Sequence, residues 1–347
     1  MSTVLWVVLF LLATWDGVAA PLVNGLRQAG TINALTTQNS WTFSAVAGQA
    51  VLLRMGTDNF NPRIQLLDSN NNVVRTASNS ANGGRDVEMS YQVRTGGTFT
   101  AVVSSQVPGG QGSYFLTLAI FPGVYLVGLG DEGGPLINGN KVVGTLDVGD
   151  LDLWTMPAQV GDSLVIRLGA GGFNPQLRLY GPTGSLLGFG FNPTADGRDA
   201  ELNLQVTNSG MYTLVVSSYF NGGSGSYQLT LAQFPGAFVT APGDQGGALL
   251  NGLRQPGTLE IGDLDLWSFP ALAGDSLLIR MGASDYNPHL RLYGPSGVLV
   301  ASGVSSAVGG RDAEISYEAT ESGFYSLVAA SYYTGGNGPY ELTLAHS

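Results

Sequence analysis

Apolar and polar residues alternate along most of this chain, and turn-forming residues interrupt the alternation about every ten positions. The stretch from Asn251 onward is the clearest. A turn at Asn251-Gly252 leads into a strand over residues 257–259. Residues 264–269 follow, with Leu264, Leu266 and Ser268 on one face and Asp265, Trp267 and Phe269 on the other. Residues 276–281 alternate about Leu277, Ile279 and Met281. Residues 289–293 run from Pro288 into the turn Gly294-Pro295-Ser296-Gly297, and 298–301, 313–317, 325–330 and 340–345 complete the set. No segment carries a sustained apolar stripe at helical spacing. Short antiparallel strands joined by polar turns predict an all-β fold, a β-sandwich of jelly-roll type.

This pattern occurs three times. Trp41, Trp154 and Trp267 stand 113 residues apart, and the same step links Asn61-Pro62, Asn174-Pro175 and Asn287-Pro288. It also links Arg85-Asp86, Arg198-Asp199 and Arg311-Asp312, and the tyrosines Tyr114, Tyr227 and Tyr340. A period this long is a whole domain, not one turn of a solenoid. The copies align without gaps from Asn138 and Asn251 onward, and the first needs one extra residue between Ile32 and Trp41. The chain therefore divides into residues 1–20 and modules at 21–123, 124–236 and 237–347. Phe121-Pro122-Gly123 and Phe234-Pro235-Gly236 close the first two modules, and the partly apolar linkers after them predict semi-rigid docking.

Composition narrows the possible functions. The chain has 347 residues, of which 51 are glycine and 44% are hydrophobic, so it is glycine-rich yet able to build cores. Its net charge is −11 and Lys141 is its one lysine, which leaves no basic patch for nucleic acid. It has no cysteine, which excludes disulfides, thiolate metal sites and cysteine catalysis. Near the start, residues 4–13 form a short apolar run before Gly17-Val18-Ala19-Ala20. That is an export leader or an ordered connector, and it is too short to span a membrane comfortably. No stable membrane span is expected after processing.

Three constellations carry candidate chemistry. Asp150 and Asp152, and likewise Asp263 and Asp265, stand two apart at a strand start, so both carboxylates of each pair face one way. Such pairs repel unless a cation or donors compensate them. The second constellation is Arg-Asp-x-Glu, with Arg85, Asp86 and Glu88 repeated as Arg198, Asp199, Glu201 and Arg311, Asp312, Glu314. It reads as an arginine pinning a loop to a strand through one of its carboxylates. The third is aromatic: Tyr219, Phe220, Tyr332 and Tyr333 precede Gly-Gly loops and suit stacking on a ligand. Catalytic motifs are missing. His289 and His346 do not recur between copies, and no nucleophile elbow, zinc motif or phosphate loop occurs, so no enzymatic activity is expected.

The runs Gly262-Asp263-Leu264-Asp265-Leu266-Trp267-Ser268-Phe269, Ala273-Gly274-Asp275, Leu290-Arg291-Leu292-Tyr293, Gly323-Phe324-Tyr325 and Tyr340-Glu341-Leu342-Thr343-Leu344 resemble the bacterial pre-peptidase C-terminal domain. They are also similar to the related collagen-binding domain of clostridial collagenases. The resemblance covers each module, nearly all of residues 22–347. It implies a secreted, non-catalytic β-sandwich that accompanies an enzyme or surface protein. In some members calcium lies between the entering segment and the Asp-rich strand start. Carried onto this chain, that implies calcium held by Asp131, Glu132, Asp150 and Asp152 in module two, and by Asp244, Asp263 and Asp265 in module three. The family's acidic-Pro-Asn entry motif is replaced by Gly130-Asp131-Glu132-Gly133-Gly134. Module one has Thr36-Thr37-Gln38-Asn39-Ser40 at the strand start, so no site is expected there.

The expected function is a structural or adhesive array, secreted or at the cell surface of a bacterium. In one version, residues 10–15 dock on the free end of module three of another copy and build head-to-tail filaments. The alternative is a targeting module that binds a polysaccharide or protein polymer on behalf of a larger hydrolase.

Overall fold

The computed structural model describes residues 19–194, 197–305, 307 and 309–347. The apolar run and the connector expected to seed filaments lie outside the described residues. Among the described residues there is no helix and no apolar helix long enough to cross a membrane.

Module 1 contains β1 (Ala20–Pro21), β2 (Arg27–Ile32), β3 (Gln38–Ala45), β4 (Ala50–Gly56), β5 (Pro62–Leu67), β6 (Val73–Ser78), β7 (Asp86–Gln92), β8 (Gly97–Ser105) and β9 (Gly112–Phe121). Module 2 contains β10 (Gly133–Pro135), β11 (Lys141–Leu146), β12 (Asp152–Ala158), β13 (Ser163–Ala170), β14 (Pro175–Tyr180), β15 (Leu186–Phe191), β16 (Asp199–Gln205), β17 (Gly210–Ser218) and β18 (Gly225–Phe234). Module 3 contains β19 (Gly246–Ala248), β20 (Arg254–Leu259), β21 (Asp265–Ala271), β22 (Ser276–Ala283), β23 (Pro288–Tyr293), β24 (Leu299–Val304), β25 (Asp312–Glu318), β26 (Gly323–Ser331) and β27 (Gly338–His346). The predicted strands of module 3 are all present, each within a few residues. The short entering strand β19 was not expected.

Each module is a sandwich of a five-stranded and a four-stranded sheet. In module 2 the orders are β10-β12-β17-β14-β15 and β11-β18-β13-β16, and the other modules repeat them. The entering strand pairs parallel with its neighbour, as Gly134 with Trp154, while the longer pairings are antiparallel. Inward residues of both sheets form one core per module. The repeated tryptophans lie in these cores, and their indole N–H groups donate to Tyr114, Tyr227 and Tyr340.

The modules are docked to one another. The four-stranded sheet of one module turns its outer face onto the five-stranded sheet of the next. Leu52, Ala119 and Phe121 of module 1 meet Leu151, Leu153, Tyr180 and Val215 of module 2. Val165, Ala232 and Phe234 of module 2 meet Leu264, Leu266, Tyr293 and Val328 of module 3. Phe121 stacks on Tyr180 with ring centroids 4.0 Å apart, and Phe234 on Tyr293 at 4.3 Å. Consequently β4 and β13 are buried on both faces, while β22 keeps the in–out alternation of a sheet with one wet side. Asn24 and Asn138 fasten the linkers, each bonding the last strand of its own module and the segment beyond it.

Candidate metal centres at the module joints

The turn before β12 brings Asp150 and Asp152 together, and the loop before β10 adds Asp131. One carboxylate oxygen from each lies within 4.8 Å of the others. Asp244, Asp263 and Asp265 make the same group in module 3. Glu132, expected with the first group, is not within it; it lines a surface groove beside Val143 and Tyr227. In module 1 Asn39 replaces the second aspartate, and its amide donates to Tyr114 at 2.9 Å.

Each triad draws a cation from the preceding module. Arg27 reaches Asp150 at 3.2 Å and Asp147 at 2.5 Å, and its guanidinium lies 3.9 Å above the Phe115 ring. Lys141 spans more of its triad, with Nζ 3.1 Å from Asp244, 3.2 Å from Asp263 and 3.3 Å from Glu260. One positive charge against three carboxylates leaves an excess of negative charge in a place that excludes water. Burial, then the charge of Asp150, pushes Asp152 up to about 9, and burial with the charge of Asp263 does the same to Asp265. Burial and Asp150 also raise Asp131 to about 7.

One oxygen of the innermost aspartate is satisfied and one is not. Tyr227 donates to Asp152 Oδ2 at 2.5 Å, and Tyr340 to Asp265 Oδ2 at 2.5 Å. Oδ1 of each is buried without a partner. Orphaned carboxylate oxygens in an oxygen-only cluster fit a hard divalent cation such as calcium. Module 2 offers the freer set, since Arg27 contacts one member of its triad and Lys141 contacts two.

The Arg-Asp-x-Glu motif does something other than expected. Arg85 pairs with Asp58, not with Asp86 or Glu88. Asp86 instead takes Arg54 from β4 at 2.5 Å, and Arg54 donates across the joint to Ser218 O at 3.2 Å. Asp86 also accepts the Gly222 N–H of module 2 at 2.9 Å. Glu88 is clasped by Arg178 of module 2. The second joint repeats this with Arg167, Asp199, Ser331, Gly335, Glu201 and Arg291. In modules 1 and 2 the carboxylates of the motif join one module to the next, while Arg85 ties to the β4–β5 loop of its own module. The motif's arginine partners Arg54 and Arg167 recur at the 113-residue step, which was the signal available in the sequence.

Tyr219, Phe220, Tyr332 and Tyr333 are exposed on loops whose backbones these arginines hold. Phe189 and Phe191, two apart on β15, were missed. They extend the module 2 pair into a row, with Phe189–Phe191 centroids 5.6 Å apart, Phe191–Tyr219 4.7 Å and Tyr219–Phe220 4.9 Å. In module 3 His289 packs edge-on to Tyr332 at 5.7 Å, and Tyr332 meets Tyr333 at 4.9 Å.

No protein-family model matches the chain, and no curated protein matches it. Among solved structures it is similar to the pre-peptidase C-terminal domain of collagenase from Bacillus anthracis, at 24% identity over 29% of this chain and 94% of that one, with a TM-score of 0.25. It is also similar to a periplasmic inhibitor of g-type lysozyme from Salmonella Typhimurium, at 19% identity over 30% of this chain and 99% of that one, with a TM-score of 0.23. A third likeness is to the PBSX exported protein XepA, at 11% identity over 61% of this chain and 89% of that one, with a TM-score of 0.20.

Proposed function

We propose that the chain is a non-catalytic extracellular rod of three docked modules of the pre-peptidase C-terminal kind, with calcium at its two joints. It serves a structural or adhesive role through its surfaces. One observation carries this reading. The buried carboxylate triads lie where one module meets the next, with Arg27 or Lys141 reaching in from the module before. Asp131, Asp150 and Asp152 would hold one ion, and Asp244, Asp263 and Asp265 the other. The bound ion would supply the positive charge that a single arginine or lysine leaves short.

Thermal melting with calcium and with a chelator tests the metal. Calcium raises the midpoint if it binds the folded chain, and an unchanged midpoint removes it from the proposal. Small-angle scattering tests the rod. The expected profile is that of one extended rigid body, and a string of independently tumbling beads would contradict it.

The aromatic row Phe189, Phe191, Tyr219 and Phe220 favours a second reading, attachment to a polysaccharide or fibrous protein. Pull-down on insoluble glycans and on collagen, with Phe191→Ala and Tyr219→Ala alongside, decides it. Retention that ignores both substitutions defeats this reading.

A further inference from the structure

The two joints define a donor face and an acceptor face, and among the described residues each end of the array leaves one of them uncovered. The donor face is the outer side of the four-stranded sheet. In modules 1 and 2 it presents Arg54 and Arg167, Asp86 and Asp199, Glu88 and Glu201, Thr117 and Thr230, all engaged at a joint or buried there. Module 3 repeats the set as Arg280, Asp312, Glu314 and Thr343, with Arg254 where Arg27 and Lys141 stand. Here the set is open. Leu278 is 39% exposed where Leu52 and Val165 are 1%. The Arg280 side chain is 57% exposed, and its partner is Glu314 of the same face.

A glycine marks the same surface. Gly56 and Gly169 sit against the turn that precedes the next module's β12 or β21. A Cβ on Gly56 would stand 1.9 Å from Val148 O, and one on Gly169 1.8 Å from Ile261 O. Neither glycine has a positive φ, so close approach is what requires it. Gly282 occupies the same position in module 3 and also lacks a positive φ. A Cβ there would meet only Asp312 Oδ1, at 3.4 Å. Nothing within the described chain requires a glycine at 282.

The opposite end supplies the control. The acceptor face of modules 2 and 3 carries Gly149 and Gly262, Asp150 and Asp263, Arg178 and Arg291, Tyr180 and Tyr293. In module 1 these positions are Thr36, Thr37, Gln65 and Leu67, and Gln38 and Ser40 replace the two joint leucines. The acceptor positions of module 1 hold neither the charges nor the glycine, whereas the donor face of module 3 has kept both.

We propose that the donor face of module 3 is a docking site for a further β-sandwich module that carries the acceptor set of modules 2 and 3. That set is a Gly-Asp-x-Asp turn, an arginine and a tyrosine on the strand equivalent to β14, and apolar residues between them. Arg280 and Asp312 would take the partner's loop carbonyl and N–H, Glu314 its arginine, and Arg254 its acidic triad. Module 1 of a second copy lacks this set, so the intact chain does not join itself through these faces.

The test uses a fragment of residues 124–347, which uncovers the acceptor face of module 2. It retains two complete cores and the joint between them. Light scattering should find the intact chain at the mass of one chain at every concentration. The fragment should associate head-to-tail, its average mass rising at least about twofold with concentration. Gly282→Ala in the fragment should restore the single-fragment mass without moving its melting midpoint, because the added Cβ meets only Asp312 Oδ1, at 3.4 Å, within the chain. A folded fragment that stays monomeric overturns the proposal. So does association that survives Gly282→Ala, or association of the intact chain. Should the fragment not fold, the intact chain is extended past Ser347 by Pro-Gly and a second copy of residues 237–347. Hydrogen exchange in residues 276–283 should then slow to the level of residues 163–170, and unchanged exchange there overturns the proposal.

Discussion

Arg167 is buried in an ion pair with Asp199 of its own module and donates across the joint to Ser331 O of module 3. Removing one partner of such a pair leaves the other charged and dry, at a cost of about 3 kcal/mol or more. Arg167→Ala should therefore lower the free energy of unfolding by that order, read by urea titration, while Arg280→Ala on the open face should change it little. Glu201 gives the joint a pH dependence. Burial raises its pKa, but the charge and hydrogen bonds of Arg291, with Arg167 and Asn203, outweigh burial and hold it at about 2 against an ordinary 4.5. A carboxyl held lower in the folded chain stabilises it fully above its unfolded value. That contribution is lost as pH falls from 4.5 towards 2. Melting midpoints across that interval should fall steeply for the parent and less steeply for Glu201→Gln.

At the scale of strands and turns, the turn before each Asp-rich strand carries both the metal ligands and the joint. Asp152→Asn tests the first role. Asn39 already stands at this position in module 1 and bonds Tyr114, so the amide fits. The substitution removes a carboxylate that burial and Asp150 oppose, so without calcium the midpoint should rise, and the response to calcium should shrink. Gly169→Ala tests the second role. Its Cβ would fall on Ile261 O, so the joint must open while both cores persist. Scattering should record a longer, looser particle, and proteolysis should begin in residues 236–246. The strands themselves were legible because alternation and turn residues agree in every copy. The repeated tryptophans fall mid-strand and lie in the cores. What could not be read was the partner of each charge. Asp86 and Glu88 lie within three residues of Arg85, yet their arginines come from β4 and from a module further along. Spacing along one strand says which face a residue takes and nothing about which sheet will lie over it. The Asp-x-Asp pairs were legible as pairs, while Arg27 and Lys141, more than a hundred residues earlier in the chain, were not.

At the scale of the whole molecule, the information for each joint is split between neighbours. One module supplies arginine, aspartate, glutamate and glycine; the next supplies the aspartate turn, a second arginine and a tyrosine. Module 1 holds only the first half of that code. Reordering the gene segments so that module 1 stands in the middle would set Thr37 and Gln65 against Lys141 and Glu201, with no opposite charge to meet either. The shuffled polypeptide would contain every core intact and still come apart at the joint before module 1, because sequence direction, and not merely module content, is written into the surfaces that touch.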